Sequence, residues 1–136
     1  MTTSTLPRIF ITGGSGFIGA RLAQVAGELG YRATVTAAVR NATEKARCDR
    51  LTAAGIGVVV ASLEDSAALA RALAGHDAVI HLAAAQHEAE QPESYFEQIN
   101  VEGTRRLLTL AADAGVRRFV HGSTIGVYGS AAAGDL

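Results

Sequence analysis

The sequence holds one cysteine, Cys48, and no tryptophan. A single thiol excludes a disulfide framework and a cysteine-based metal site, and it fits a reducing, cytoplasmic setting. Lysine is nearly absent as well. Of the 12 basic residues only Lys45 is lysine, so a catalytic lysine has a single candidate. Excess positive charge is missing too: the net charge is −1, which leaves no electrostatic footprint for nucleic acid. An uncharged, apolar-rich run, Leu51 to Leu63, covers 13 residues. A membrane-spanning helix needs about 20. The opening MTTSTLPR lacks the basic-then-apolar layout of a signal peptide. What is present is an apolar chain, 49% hydrophobic and 18% charged. Its length and composition predict one globular domain over residues 1–136.

Along the chain, short apolar runs alternate with helical patterns. Ile9–Thr12, Ala33–Val39, Gly57–Ala61, Ala78–Leu82 and Arg117–Ser123 read as strands. Between them, Gly16–Leu29 is helical, with Ile18, Leu22, Val25 and Leu29 recurring on one face and Gly30 as a stop. Thr43–Ala54 and Ser66–Leu73 are further helices, with Ser66 as the expected N-cap. Glu93–Ala114 is expected to be one long helix with a stripe of Phe96, Ile99, Gly103, Leu107, Leu110 and Ala114. Strands without clean alternation, each followed by a helix, predict a doubly wound α/β domain with a parallel sheet covered on both faces. Ligands in that architecture bind outside the carboxyl ends of the strands. The rule gathers the glycine turn after Thr12, Val39-Arg40-Asn41, Ala61-Ser62-Leu63, Leu82-Ala83-Ala84 and Ser123-Thr124 at one edge.

The turn reads Thr12-Gly13-Gly14-Ser15-Gly16-Phe17-Ile18-Gly19. Gly13 permits a sharp strand-to-helix turn. Gly16 lets a pyrophosphate approach the helix start, where free N–H groups and the dipole favour negative charge. Gly19 lets the helix pack closely on the sheet. A glycine triplet after a strand, opening a helix, is the context that dinucleotide binding requires. The plain alternative is a tight turn and nothing more.

These residues resemble the TGxxGFIG fingerprint of extended short-chain dehydrogenase/reductases, the NAD(P)-dependent epimerase/dehydratase group. Four later segments resemble the same family in the same order: Asp77–Ala84 (DAVIHLAA), Asn100–Thr104 (NVEGT), Phe119–Thr124 (FVHGST) and Val127-Tyr128-Gly129. The resemblance implies a Rossmann fold and hydride transfer on a sugar nucleotide or a small carbonyl or alcohol. It implies that Gly13, Gly16, Phe17 and Ile18 contact the pyrophosphate side of the cofactor. Leu63 would lie near the adenine, and Leu82, Ala83 and Ala84 would line the path to the nicotinamide ribose through backbone. Asn100 would belong to a proton-relay helix, and Thr124 would hydrogen-bond the reacting oxygen. The long helix commonly helps form a dimer interface in this family, which makes a homodimer an expectation. The alternative is a redox-silent cofactor sensor, as in atypical relatives.

Three departures stand out. An NAD site usually carries an acid about 20 residues beyond the glycine turn. No acid lies between Glu28 and Glu44, and Arg40 ends the second strand's segment instead. A guanidinium suits a 2′-phosphate, so Arg40 tilts the expectation to NADP, with NAD second. Ser62 stands where the family commonly has an Asp near the adenine, which weakens that contact. The family's chemistry also needs a tyrosine with a lysine four residues later. Four after Tyr31, Tyr95 and Tyr128 stand Val35, Ile99 and Ala132, so the pair is absent. The expectation is a cofactor-binding portion, truncated after about the fifth strand, that is inactive alone and leaves that strand as an exposed edge. No metal is expected, since His76, His81, His87 and His121 lack partners at ligand spacing.

Overall fold

In this computed structural model, residues 6–39, 41–86 and 91–129 are described. The chain runs β1 (Arg8–Thr12), α1 (Phe17–Glu28), β2 (Arg32–Ala37), α2 (Ala42–Ala53), β3 (Gly57–Val60), α3 (Ser66–Leu73) and β4 (Ala78–His81). It continues through α4 (Glu93–Phe96), a π turn (Glu97–Glu102), α5 (Gly103–Asp113), β5 (Arg118–His121) and a 3-10 turn (Ile125–Tyr128). The strands form one parallel sheet in the order β3-β2-β1-β4-β5. The chain winds outward from β1 to β3, then returns to β4 on the other side of β1. The strand order therefore reverses between β1 and β4, where doubly wound sheets open a crevice for ligands.

β1 is central because both its faces are apolar. Phe10 and Ile11 are fully buried and point to opposite sides. Phe10 packs with Leu69, Leu73, Leu107 and Ala111 of α3 and α5. Ile11 packs with Ala23, Ala26 and Leu51 of α1 and α2. Burying a leucine such as Leu107 contributes roughly 1.5–3 kcal/mol, so each of these two layers is a substantial share of the fold's stability. At the amino ends of the strands Asp77 ties the sheet together. Its carboxylate accepts the Arg8 N–H at 2.8 Å and an Arg117 guanidinium N–H at 2.9 Å. Those two bonds hold the Asp77 carboxyl below its ordinary range.

Helix ends follow side-chain chemistry. Asn41 caps α2, its side chain accepting the Glu44 N–H at 2.9 Å. Asp65, not Ser66, caps α3 by accepting the Ala68 N–H at 2.9 Å. A carboxylate also gains from the positive end of the helix, so it takes the position from a serine one residue later. The expected long helix is interrupted by the π turn. Its stripe still faces inward: Gly103 and Leu107 are buried, and Phe96, Ile99, Leu110 and Ala114 are half-buried. β5 is the sheet edge beside β4, and its Val120 is half exposed.

Candidate functional site

The glycine turn leaves β1 at the reversal point. Gly13 has φ +77°, a left-handed conformation that favours glycine. A Cβ there would lie 3.0 Å from the Ala83 nitrogen and 3.1 Å from the Leu82 carbonyl carbon. The turn thus presses directly on the end of β4. A methyl at Gly14 would overlap the Val35 side chain, and one at Gly19 would overlap the Gly13 carbonyl. Gly19 therefore lets α1 pack on the turn itself rather than on the sheet, as the sequence had suggested. Gly14 is a demand that sequence spacing did not reveal. The turn is pinned by Gly14 N–H to Thr36 O at 2.8 Å and Gly16 N–H to Gly13 O at 3.0 Å.

Gly16 is the N-cap of α1 and supplies no capping side chain. The first N–H groups of the helix, at Phe17, Ile18 and Gly19, have no intrahelical acceptor. The side chains of Phe17 and Ile18 are 83% and 67% exposed, so they leave the backbone in front of them open. Backbone N–H groups at a helix start, bared by glycine and uncapped, suit a phosphate anion. The residues present thus fit a dinucleotide's pyrophosphate.

Behind the turn lies a polar network that sequence reasoning did not single out. Thr12 Oγ1 accepts the Leu82 and Ala83 N–H groups, each at 3.1 Å. Two acceptances fill the hydroxyl's acceptor capacity, so its own proton goes to His81 Nδ1, 2.7 Å away. His81 Nε2 then carries the ring proton and donates to Thr104 Oγ1 at 2.8 Å. His81 is 1% exposed. Burial first, and the neighbouring His121 ring second, push its pKa down to about 4. The network joins β1, β4 and α5 through a neutral imidazole. A histidine at the end of an apolar strand was the signal that could have found it, since a buried ring must have partners.

The other expected residues lie along the same edge. The N–H groups of Leu82 and Ala83 are committed to Thr12, and the Ala84 position is exposed. Asn100, inside the π turn, holds Ala85 from both sides. Its Oδ1 accepts the Ala85 N–H at 2.7 Å and its Nδ2 donates to the Ala85 carbonyl at 3.0 Å. π turns recur at functional positions, and this one carries the side chain that fixes the loop after β4. Leu63 turns its side chain into the core beside Phe10 and Leu107 and is 7% exposed. Its carbonyl accepts Arg106 Nη1 at 2.8 Å. A Cβ at Gly103 would meet the Leu63 Cβ at 3.0 Å, which explains the glycine there. Leu63 can therefore offer a ligand backbone rather than side chain. Ser62 is exposed and uses its hydroxyl on the Glu64 N–H at 3.2 Å. Thr124 is exposed and caps the 3-10 turn, its Oγ1 accepting the Gly126 N–H at 3.2 Å. Among the described residues Ser62 and Thr124 make local bonds only, whereas the glycine turn lies against Leu82 and Ala83, and Gly122 lies against Leu82. Arg40 lies outside the described residues, as does His87. Among the described residues no three side chains gather as metal ligands, and no helix is long and apolar enough to cross a membrane.

Comparison with known proteins agrees with this geometry. The family described as NAD dependent epimerase/dehydratase matches residues 9–135. The chain is 37% identical over 119 residues to a 4-hydroxy-2-methyl-3-oxo-4-farnesyl-3,4-dihydroquinoline-1-oxide ketoreductase of Stigmatella aurantiaca, covering 86% of this chain and 33% of that protein. It is 33% identical over 138 residues to a dTDP-glucose 4,6-dehydratase of Streptomyces niveus, covering 90% of this chain and 39% of that protein. Among solved structures, the dTDP-glucose 4,6-dehydratase DesIV of Streptomyces venezuelae, with NAD and TYD bound, superposes with a TM-score of 0.82 at 36% identity. That match covers 95% of this chain and 43% of the other. The chain thus spans about a third to two-fifths of the length of these relatives.

Proposed function

The chain belongs to the NAD dependent epimerase/dehydratase family, and from that premise we propose that it forms the cofactor-binding portion of an NAD(P)-dependent oxidoreductase or epimerase. Its substrate class would be a sugar nucleotide or a small carbonyl or alcohol, the chemistry borne by the relatives' names. The observation that carries the reading is the glycine turn: an uncapped helix start, bared by Gly16 and pressed by Gly13 against the end of β4. A bound dinucleotide supplies a hydride donor or acceptor at its nicotinamide.

The chain's own groups have separable tasks. The N–H groups at the start of α1, after Gly13 and Gly16 and along Phe17 and Ile18, bind the pyrophosphate. Ser62 and the backbone of Leu63 flank the adenine, and the backbone of Leu82, Ala83 and Ala84 lines the way to the nicotinamide ribose. Thr124 Oγ1 already accepts one N–H, so its proton is available to a substrate oxygen. Asn100 spends one acceptance and one donation on Ala85 and acts as a positioning residue for that loop. NADP is the preferred cofactor and NAD the second, because residues 29–43 contain no acid while Arg40 is present. The solved dehydratase above holds NAD, and the charge after β2 is where this chain would differ. A cytoplasmic setting and a homodimer through the outer face of α5 belong to the same reading.

None of the three tyrosines in these residues is followed by lysine four residues on, so these 136 residues are expected to bind cofactor without turnover. Titration of the chain with NADPH and NADH, followed by nicotinamide fluorescence, tests the core of it. Binding with NADPH preferred is expected. NADH preference would refute the NADP assignment, and binding of neither would refute the dinucleotide reading. Cofactor-dependent conversion of a carbonyl or sugar nucleotide by the chain alone would overturn the expected inactivity.

A further inference from the structure

Arg106 ties α5 to a loop at the ligand edge. It lies one turn after Gly103 and next to Leu107, both buried, and is itself half-buried. Its Nη1 donates to the Leu63 carbonyl at 2.8 Å. Leu63 stands in the connection 61–65 between β3 and α3. The Ala61 N–H still extends the ladder to the Ala37 carbonyl. Beyond it the bonds within the connection are local: the Glu64 N–H goes to Ser62 Oγ and the Asp65 N–H to the Ser62 carbonyl, each at 3.2 Å. Such bonds shape the turn without fixing where it stands. Its place is set from α5 and the π turn, by the Leu63 side chain against Gly103, by Arg106, and by Gln98 Nε2 donating to the Glu64 carboxylate.

Among the described residues no carboxylate pairs with Arg106, and Glu102, one turn earlier, pairs with Arg105. The guanidinium serves the Leu63 carbonyl instead, through a charge-assisted bond stronger than one between neutral groups. Leu63 is thereby held at two points. Its side chain packs among Phe10, Leu69 and Leu107, and its carbonyl rests on Arg106. Its N–H has no acceptor among the described residues, although Leu63 is only 7% exposed. A firmly placed, unspent donor in a nearly buried residue requires a partner. The ring nitrogens of adenine are hydrogen-bond acceptors and supply one. Fixing the donor before the base arrives also reduces the loop freedom lost on binding.

We propose that Arg106 is a positioning residue for the adenine end of the cofactor, a proposal that rests on the adenine lying beside Leu63. By holding the Leu63 carbonyl from behind, it presents the Leu63 N–H to an acceptor nitrogen of the adenine ring. Arg106 itself touches neither the base nor the phosphates. The pyrophosphate is left to the N–H groups that follow Gly16.

The test is calorimetric titration of the chain, of Arg106→Met and of Arg106→Lys with NADPH, adenosine 5′-diphosphate and inorganic pyrophosphate. Methionine keeps an apolar stem and removes the donor. Loss of one positioned hydrogen bond predicts that Arg106→Met weakens NADPH and the adenosine diphosphate alike, by about 3- to 10-fold. Pyrophosphate, which has no base, should change less than about 2-fold, so a mere loss of positive charge is told apart. Arg106→Lys can still donate to the carbonyl and should restore most of the affinity. Equal weakening of all three ligands would overturn the proposal and make Arg106 a general support of the fold. Unchanged NADPH affinity would overturn it outright. A second measurement needs no variant: in nitrogen-15 NMR the Leu63 amide should shift on adding adenosine diphosphate and stay in place with pyrophosphate. A Leu63 amide unmoved by a bound adenosine diphosphate would refute the proposal while leaving the dinucleotide reading intact. If the unsubstituted chain binds none of the ligands, that reading fails first and this proposal with it.

Discussion

His81 should be neutral, with its proton on Nε2, far below the pH at which a free imidazole charges. The bond count demands it: Thr12 Oγ1 already accepts two backbone N–H groups, so His81 Nδ1 must accept from Thr12. A protonated ring would set a second donor against a hydroxyl with no lone pair left. Its pKa is accordingly lowered from 6.5 to about 4, by burial first and by His121 second. Among the described residues the groups facing the ring are Thr12, Thr104, Phe119 and His121, and none of them is a carboxylate that would offset the burial. A folded-state pKa below the unfolded one means that the unfolded chain binds the proton first. The stabilisation is therefore complete above about pH 6.5 and is lost as pH falls towards 4. At 1.36 kcal/mol per pH unit the span amounts to about 3 kcal/mol, a large part of the roughly 5–15 kcal/mol that holds a domain together.

Two measurements check this. Nitrogen-15 NMR of the imidazole should show an unprotonated Nδ1 at neutral pH and a titration midpoint near 4. Urea unfolding at pH 7, 6, 5 and 4 should show His81→Gln, weaker at pH 7, converging on the unsubstituted chain as pH falls, because it lacks this titration. Acidic side chains and His76, whose pKa burial also lowers, titrate alike in both proteins and cancel in the comparison. A midpoint at or above 6, a proton on Nδ1, or parallel pH curves would refute the reasoning.

Four further outcomes follow from local geometry. Gly19→Ala should destabilise by about 2 kcal/mol or more, since its methyl would overlap the Gly13 carbonyl. Gly27→Ala, with nothing within 4 Å of the added methyl, should stabilise by about 0.5–1 kcal/mol in the same urea assay. Asn100→Asp replaces the donor that serves the Ala85 carbonyl with an acceptor. It should cost about 1–3 kcal/mol at pH 7, with part recovered in acid when the carboxyl regains a proton, and unchanged stability would deny the clamp. Gly16→Ala should keep the fold, with a melting temperature within a few degrees, while cofactor affinity measured by titration falls at least about 10-fold.

The parallel sheet was legible because strand and helix periods alternate from Ile9 to Ser123, whereas its strand order came only with the structure. The long helix's inward stripe was legible for the same reason. Its interruption was not: Phe96, Ile99, Gly103 and Leu107 keep α-helical spacing on average, so the π turn between Glu97 and Glu102 leaves no mark in the apolar pattern. The cap at Asp65 was missed because aspartate and serine are both good N-caps and stand side by side. The Thr12–His81–Thr104 network joins residues 69 and 23 positions apart. No local period encodes such a contact; it exists once β1 and β4 are adjacent. The bond that Arg47 Nη1 donates to the Ser15 carbonyl at 2.8 Å escaped for a related reason, since it depends on how α2 packs beside α1.

The glycines themselves divide into two kinds, and the division bears on what the turn is for. Gly13, Gly14 and Gly19 are required by the protein's own packing: against the end of β4, against Val35 and against the turn's own carbonyl. Those three would be needed even if nothing ever bound. Gly16 is different. A Cβ there meets only the Gly13 carbonyl oxygen, at 3.1 Å, a contact that small shifts can relieve, and its φ of −77° is open to any residue. The helix even forgoes the side-chain cap that serine or aspartate at this position would supply. Packing therefore explains three glycines of the motif and leaves the fourth without an internal cause. A ligand that must approach the N–H groups of Phe17 and Ile18 supplies one, because any side chain at Gly16 would stand in its path. The case for a phosphate seat rests on the glycine that the fold needs least.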